Sequence, residues 1–436
     1  MRSTADPATT SCSRPRKLSR VPRSIALVLA VGVLVASGAA APAQETPEVR
    51  DLGPLVGFRR HESSYALAVD DVNGDGWEDV LIVHHGSRPS ELFLNQPEGD
   101  TTRGYEVALH LVDTIHARPD RHGCIFGDPN GDALTDIFCV KGANQGTSDK
   151  WNELWIQGPE GTWIDEAAAW GVEDLWGRGR HPAWIDLNGD DQLDLFVGND
   201  FPRQDDRGTP NRTFVNEGGE RFAEVDLGVT REDGADCVQV VDIDGDGVDD
   251  LLLCGKEELF IYLQRDGGFV RANEAFGLPP EARANGAHIE DLSGDGVADI
   301  VIVHPTEIVI RLGGPDGRFG DPVWRQEIGL GHGLAVGDVD GRNGPDVYAV
   351  MGCVDRVNVP DLLLLNDGDG RTWAQAELPP LPEGEYAGCG DTAEMTDFDR
   401  DGLQDVVVLN GGGSAQPLDL DGPDQLLTMG DWQLPG

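Results

Sequence analysis

An all-β fold, a seven-bladed β-propeller of four-stranded antiparallel blades, is predicted for this 436-residue chain by three observations. A nine-residue acidic loop recurs seven times, its starts 47 to 59 residues apart. That period suits one four-stranded unit per copy and marks a single repeat array, where length alone suggests two or three domains. Each copy runs straight into a β-branched apolar segment too short for a helix. A strand-like segment ahead of the first loop resembles the fourth strand that the last unit lacks.

The loops place oxygen side chains at positions one, three, five and nine. The first four sets are Asp71, Asn73, Asp75, Asp79; Asp128, Asn130, Asp132, Asp136; Asp186, Asn188, Asp190, Asp194; and Asp242, Asp244, Asp246, Asp250. The fifth is Asp291, Ser293, Asp295, Asp299, and the seventh Asp397, Asp399, Asp401, Asp405. Hard oxygen donors around one point in flexible geometry select Ca²⁺ over Mg²⁺, and no soft ligand is present for zinc or copper. About six structural Ca²⁺ sites are expected. The sixth copy, Asp338 to Asp346, carries Arg342 at position five and is expected to be metal-free, the guanidinium supplying the charge. Ala133 and Asp191 replace glycine at position six in the second and third copies, which weakens those two. An EF-hand begins in the same way but needs a glutamate at position twelve and flanking helices; here that position holds Ile82, Cys139, Val197, Leu253, Ile302, Ala349 or Val408. A single copy could be a solvated Asp/Gly turn, whereas seven at one spacing argue for a common role.

The second strands read DVLIV, DIFCV, DLFVG, DLLLC, DIVIV, DVYAV and DVVVL, and third strands follow as ELFLN, ELWIQ, RTFVN, LFIYL, IVIRL, LLLLN and QLLTM. A Gly-rich turn and an aromatic (Trp163, Phe222, Phe269, Phe319 or Trp373) lead into most fourth strands. Glu48 to Gly53 (EVRDLG) resembles Glu224 to Gly228 (EVDLG) and is expected to complete the seventh blade, so the propeller spans 44–436. A solenoid is the competing architecture, but neither end reads as a polar cap.

Residues 1–43 are expected to be a signal peptide: Arg14, Arg16, Lys17, Arg20 and Arg23 precede the apolar run Ile25 to Ala36, and Ala41-Pro42-Ala43 offers a cleavage site. The run is short for a membrane anchor, so the chain reads as secreted. A formal charge of -45 disfavours nucleic acid and anionic membranes as partners and favours cations. Beyond Cys12 the cysteines number six, an even count suited to an oxidising compartment. Cys124 with Cys139 and Cys237 with Cys254 flank their loops symmetrically, which predicts hairpin disulfides, and Cys353 with Cys389 would link the sixth unit to the seventh. Thiol-based metal binding is the alternative, without any CxxC spacing to support it.

The seven loops, the Gly-Asp openings at Gly127-Asp128 and Gly337-Asp338, and the phrases WIDEAAAWGV (163–172) and FAEVDLGVT (222–230) resemble the FG-GAP/VCBS repeats of integrin α-subunit-type and cartilage-acidic-protein-like propellers over residues 48–434. The resemblance implies Ca²⁺ between the first two strands of a blade, ligands on the opposite face, and adhesion or recognition as the activity. Arg342 departs from the pattern, and no tail domain such as cartilage-acidic-protein relatives often carry is expected within these 436 residues.

If the loops close the innermost strands, the residues just before those strands ring the central channel on the other face: Arg121, His122, Arg180, His181, Asp236, His288, His332, Tyr386 and Asp391. They could equally satisfy loop backbones. No GxSxG serine, phosphate-cradling glycine loop or local nucleophile–base pair is present, and the calcium loops account for most paired carboxylates, which leaves a glycosidase little to stand on. A monomeric, non-catalytic propeller that recognises an extracellular glycan or protein is the favoured reading. The alternative is a polysaccharide lyase in which Arg, His and Tyr neutralise a uronate and move a proton.

Overall fold

The computed structural model describes residues 49–53, 64–84, 89–95, 105–111, 120–142, 151–200, 209–229, 234–255, 258–278, 283–354, 357–379, 390, 392–410 and 424–429. The expected signal peptide, Tyr386, Cys389 and Asp391 lie outside them.

Seven four-stranded antiparallel sheets make up the fold, one around each acidic loop. Blade 1 consists of Ser64–Asp70, Asp79–His84, Ser90–Asn95 and Tyr105–Leu111; blade 2 of Arg121–Gly127, Asp136–Lys141, Glu153–Gln157 and Trp163–Asp165. Blade 3 is Gly179–Ile185, Asp194–Asn199, Arg212–Asn216 and Phe222–Val225; blade 4 is Cys237–Val241, Asp250–Cys254, Leu259–Arg265 and Gly268–Arg271. Blade 5 holds Gly286–Glu290, Asp299–Val303, Glu307–Arg311 and Trp324–Glu327, and blade 6 Gly331–Gly337, Asp346–Met351, Leu362–Asn366 and Trp373–Gln375. Blade 7 takes Thr392–Thr396, Asp405–Leu409 and Gln425–Thr428 from one end of the chain and Arg50–Asp51 from the other. Arg50 pairs with Thr428 and Asp51 with Leu427.

First strands contact the first strands of neighbouring blades all the way round, blade 7 meeting blade 1, so they line the axis. The cores lie between blades. In the second strand of blade 1, Val80 and Ile82 pack with Phe398, Val407 and Leu409 of blade 7, while Leu81 and Val83 pack with Phe126, Ile137 and Cys139 of blade 2. Alternate side chains point to opposite faces of a strand, and both faces are covered here. Unbroken apolar runs such as DVLIV are the consequence.

The disulfides Cys124–Cys139 and Cys237–Cys254 are present as expected, each joining directly opposed residues of a first and second strand. They fit an oxidising environment. Among the described residues no helix is long and apolar enough to cross a membrane. Phe319 does not lead a fourth strand: it forms an isolated bridge with Gly313, and that strand of blade 5 begins at Trp324.

Candidate functional site

Each acidic loop joins the first strand to the second at one end of the ring. Its backbone turns through positive φ at positions four and six: Gly74 (72°) and Gly76 (87°) in blade 1, Gly131 (73°) and Ala133 (65°) in blade 2, Gly189 (78°) and Asp191 (61°) in blade 3. Ala133 and Asp191 therefore adopt the same turn as the glycines they replace. The position-one carboxylate fixes the turn by accepting backbone N–H groups. Asp128 takes those of Gly131 (2.8 Å), Asp132 (3.1 Å) and Ala133 (2.8 Å). At Asp186, slight burial raises the carboxyl, but four such N–H bonds outweigh it and hold the group below the ordinary carboxylate range.

Position nine plays another part. Asp79 is fully buried and accepts the Val72 N–H (3.0 Å) within its loop and the Asn95 N–H (2.7 Å) at the end of the third strand. Burial pushes Asp79, Asp136, Asp346 and Asp405 up to about 7, against the lowering effect of their hydrogen bonds. The residue at that third-strand end is an amide in five blades, and its side chain crosses to the preceding blade. Asn95 donates to Phe398 O (2.9 Å), Gln157 to Val72 O (3.3 Å), Asn216 to Pro129 O (2.8 Å), Gln264 to Asp186 O (3.2 Å) and Asn366 to Leu292 O (2.7 Å). These stitches escaped the sequence reading, although the recurring Asn or Gln closing the third strands was there to see.

Three carboxylates converge in three loops: Asp242, Asp244 and Asp246; Asp338, Asp340 and Asp346; Asp397, Asp399 and Asp405, with ligand atoms within 4.8 Å of one another. Two oxygens each bound about 2.4 Å from one calcium stand at most about 4.8 Å apart, so these sets fit the ion. One expectation about an arginine is corrected. Arg342 is exposed and uses its backbone N–H on Asp340 (2.9 Å); its guanidinium makes no ion pair among the described residues. A guanidinium sits instead in the blade 4 loop, where all four positions are carboxylates: Arg265, at the end of the third strand, pairs with Asp244 and with Asp246 (2.9 Å) and lies 4.0 Å from Asp250.

At the opposite end of the first strands, a cavity of about 940 Å³ on the axis is walled by residues of all seven blades. First strands carry a β-bulge there in blades 1, 2, 3 and 6, between Ser64 and Ala66, Arg121 and Gly123, Gly179 and His181, and Gly331 and Gly333. The extra residue of each bulge (Tyr65, His122, Arg180 or His332) lines the cavity. A bulge re-aims a side chain that strict alternation would turn elsewhere. Tyr65 and His122 lie with ring centroids 4.7 Å apart. Arg180 Nη1 donates to His122 Nδ1 (2.9 Å), and His122 Nε2 faces Asp120 (3.5 Å). A Cβ on Gly142 would collide with this imidazole.

Of the residues expected at the channel, His122, Arg180, His181, Asp236, His288 and His332 do line it. Burial, and then the Arg180 charge, lower His181 to about 4, so it is neutral. Arg121 does not belong with them. It is fully buried and binds Glu153 through Nε (2.6 Å) and Nη2 (3.1 Å), while Lys141 Nζ holds the same carboxylate at 2.6 Å. The bulge sends His122 to the axis and leaves Arg121 behind it. Sequence reasoning missed Tyr65, Arg178, Asp200, Gln239, Arg283 and Glu394, all on the wall. Gln239 donates to Ile289 O (3.0 Å) and lies 3.2 Å from His288 Nε2. Deep placement in the ring raises Glu394, and nearby His288 partly offsets that.

Residues 242–302, from the blade 4 loop into the second strand of blade 5, match the FG-GAP-like repeat family. The stretch from blade 4 into blade 5 is similar to an FG-GAP-like repeat, and the chain is a seven-bladed propeller. Its fold resembles that of an Agrocybe aegerita lectin whose structure concerns recognition of non-reducing terminal N-acetylglucosamine (TM-score 0.51, 17% identity, 83% of this chain and 93% of that one). It also resembles BBS1N from a complex with ARL6DN (TM-score 0.50, 11% identity, 86% and 95%). No curated protein matches the sequence.

Proposed function

We propose that this is a secreted, non-catalytic recognition propeller that binds a glycan or protein at the axial cavity, with Ca²⁺ in the acidic loops of the opposite face as a structural ion. The observation that carries the reading is the set of four bulges, which turn Tyr65, His122, Arg180 and His332 into one cavity. The propellers of similar fold include one that recognises a sugar and one in complex with a protein, in keeping with either partner. The converging carboxylates of blades 6 and 7 suit calcium best, and Arg265 supplies the cation in blade 4. At extracellular affinities each ion would contribute about 0.4–1.4 kcal/mol at millimolar calcium, so several filled loops would rival a domain's net stability.

The test combines glycan and extracellular-protein arrays, probed with wild type and with His332→Trp, which fills the cavity mouth. A partner retained by wild type and lost by the variant is expected. Binding that ignores the variant would place recognition elsewhere, and turnover of uronate polymers would replace this reading with the lyase. A calcium chelator is expected to lower the melting temperature; an unchanged melting curve would remove the ion from the account.

A further inference from the structure

We infer that the cavity takes a sugar acid, with the ligand's carboxylate on Arg180 and its ring against Tyr65. This rests on the recognition reading and narrows it to one ligand class. The lining as a whole carries three arginines and four carboxylates, but at Arg180 two guanidiniums meet a single carboxylate. Arg180 Nη2 (3.0 Å) and Arg178 Nη2 (2.7 Å) share one oxygen of Asp200. The remaining hydrogen bonds of Arg180 go to neutral acceptors, Gly179 O (2.9 Å) and His122 Nδ1 (2.9 Å). An imidazole that accepts at Nδ1 is in its neutral form. Arg180 thereby uses three of a guanidinium's five donors, which leaves two for a planar oxyanion. Arg283, exposed on the same wall, makes no ion pair among the described residues.

Three further features select the ligand. Asp200 binds the guanidinium and Asp120 faces the far nitrogen of His122, so a singly charged carboxylate meets less repulsion than a doubly charged phosphate. Tyr65 presents an aromatic ring beside His122, a flat apolar surface for the C–H face of a sugar. Elsewhere on the wall, Gln239, His288 and Glu394 offer both donors and acceptors to hydroxyl groups. A volume of about 940 Å³ accommodates a small oligosaccharide. Walls from all seven blades suit a chain end better than an extended peptide, which needs an open edge or groove.

The experiment is calorimetric titration of the full ring with trigalacturonate, with the same trisaccharide after carboxyl reduction, and with an acidic tripeptide. Trigalacturonate is expected to bind at least about tenfold tighter than its reduced form. Arg180→Gln and Arg283→Gln should each erase about fivefold or more of that preference; Arg283→Gln breaks no ion pair or side-chain hydrogen bond among the described residues and so is expected to preserve the fold. Equal affinity for the two sugars, or a preference that both variants retain, would overturn the carboxylate assignment. Tighter binding of the reduced sugar or of the peptide would overturn the sugar acid and leave a recognition cavity standing. Failure of every probe to saturate at about 10 mM, a Kd weaker than about 3 kcal/mol of binding, would overturn the sugar acid and count against the cavity reading as well.

Discussion

Glu153→Gln is expected to destabilise the ring by about 4 kcal/mol, because it removes the carboxylate that two buried cations share. Arg121, Lys141 and Glu153 have side chains 0%, 1% and 3% exposed, and three contacts of 2.6, 3.1 and 2.6 Å tie them together. Glutamine keeps one acceptor oxygen and loses about two charge-assisted bonds, each worth about 1.5–3 kcal/mol. Breaking a buried ion pair from one side costs about 3–5 kcal/mol by mutagenesis. For the unit Thr46–Gly436, an unfolding entropy of about 0.8 kcal/mol/K converts 4 kcal/mol into a drop of about 5 °C. Calorimetry with guanidinium unfolding reads this out. Burial raises Glu153, but Arg121 and Lys141 pull harder and leave it below its ordinary value. Its stabilisation is therefore full above the unfolded value of about 4.3 and fades as the pH falls through the folded one, so wild type and variant converge in acid. Replacing all three residues by methionine should recover stability to within about 1 kcal/mol. A Glu153→Gln variant within about 0.5 kcal/mol of wild type would refute the triad and reopen a ligand role for Arg121.

Arg265→Ala should raise the calcium stoichiometry by one in native mass spectrometry; an unchanged count would mean that the guanidinium does not serve as that loop's cation. Asn216→Leu leaves the Pro129 and Leu193 carbonyls without their donor and is expected to cost about 2–4 kcal/mol in chemical denaturation, whereas a loss under 0.5 would make the inter-blade stitch incidental. Burial raises Asp361 to about 6 despite its bonds from Met351 N–H and Tyr348 OH. Its contribution is complete below the unfolded value near 3.9 and is lost as pH rises through about 6, so wild type should lose about 3 kcal/mol relative to Asp361→Asn over that window. Parallel stability-versus-pH curves for the two proteins would contradict this.

The blades were legible in the sequence because their cores are local in register. A second strand covered on both faces must be apolar at every position, and an acidic turn must precede it, so DVLIV after DVNGDGWED announces a blade by itself. The cavity was only half legible. His122 and Arg180 were found by position, but a bulge shifts the register by one residue, and nothing in RHGC states whether Arg121 or His122 turns to the axis. Arg178 and Asp200 reach the wall together from blade 3 and Glu394 from blade 7, and only closure of the ring brings those two blades round one cavity. Arg342 was misjudged for a related reason: loop position does not determine where a long side chain goes, and Arg265, 15 residues beyond its loop's last aspartate, arrives from the third strand.

Closing blade 7 with Arg50–Asp51 has a consequence in time. The partner of this segment, Gln425–Thr428, is synthesised long after it, and Gln425 bonds Asp51 across 374 residues. Until that stretch emerges, the first strand segment has no partner and the outer edge of the third strand of blade 7 does not yet exist. Blades 1 to 6 can form as the chain appears, each from contiguous sequence, whereas circularisation must wait for Gln425–Thr428 and bears the entropy of closing a loop of 374 residues. The slowest folding phase is accordingly assigned to ring closure, and a circular permutant that begins at blade 2 and joins the old termini would abolish that wait.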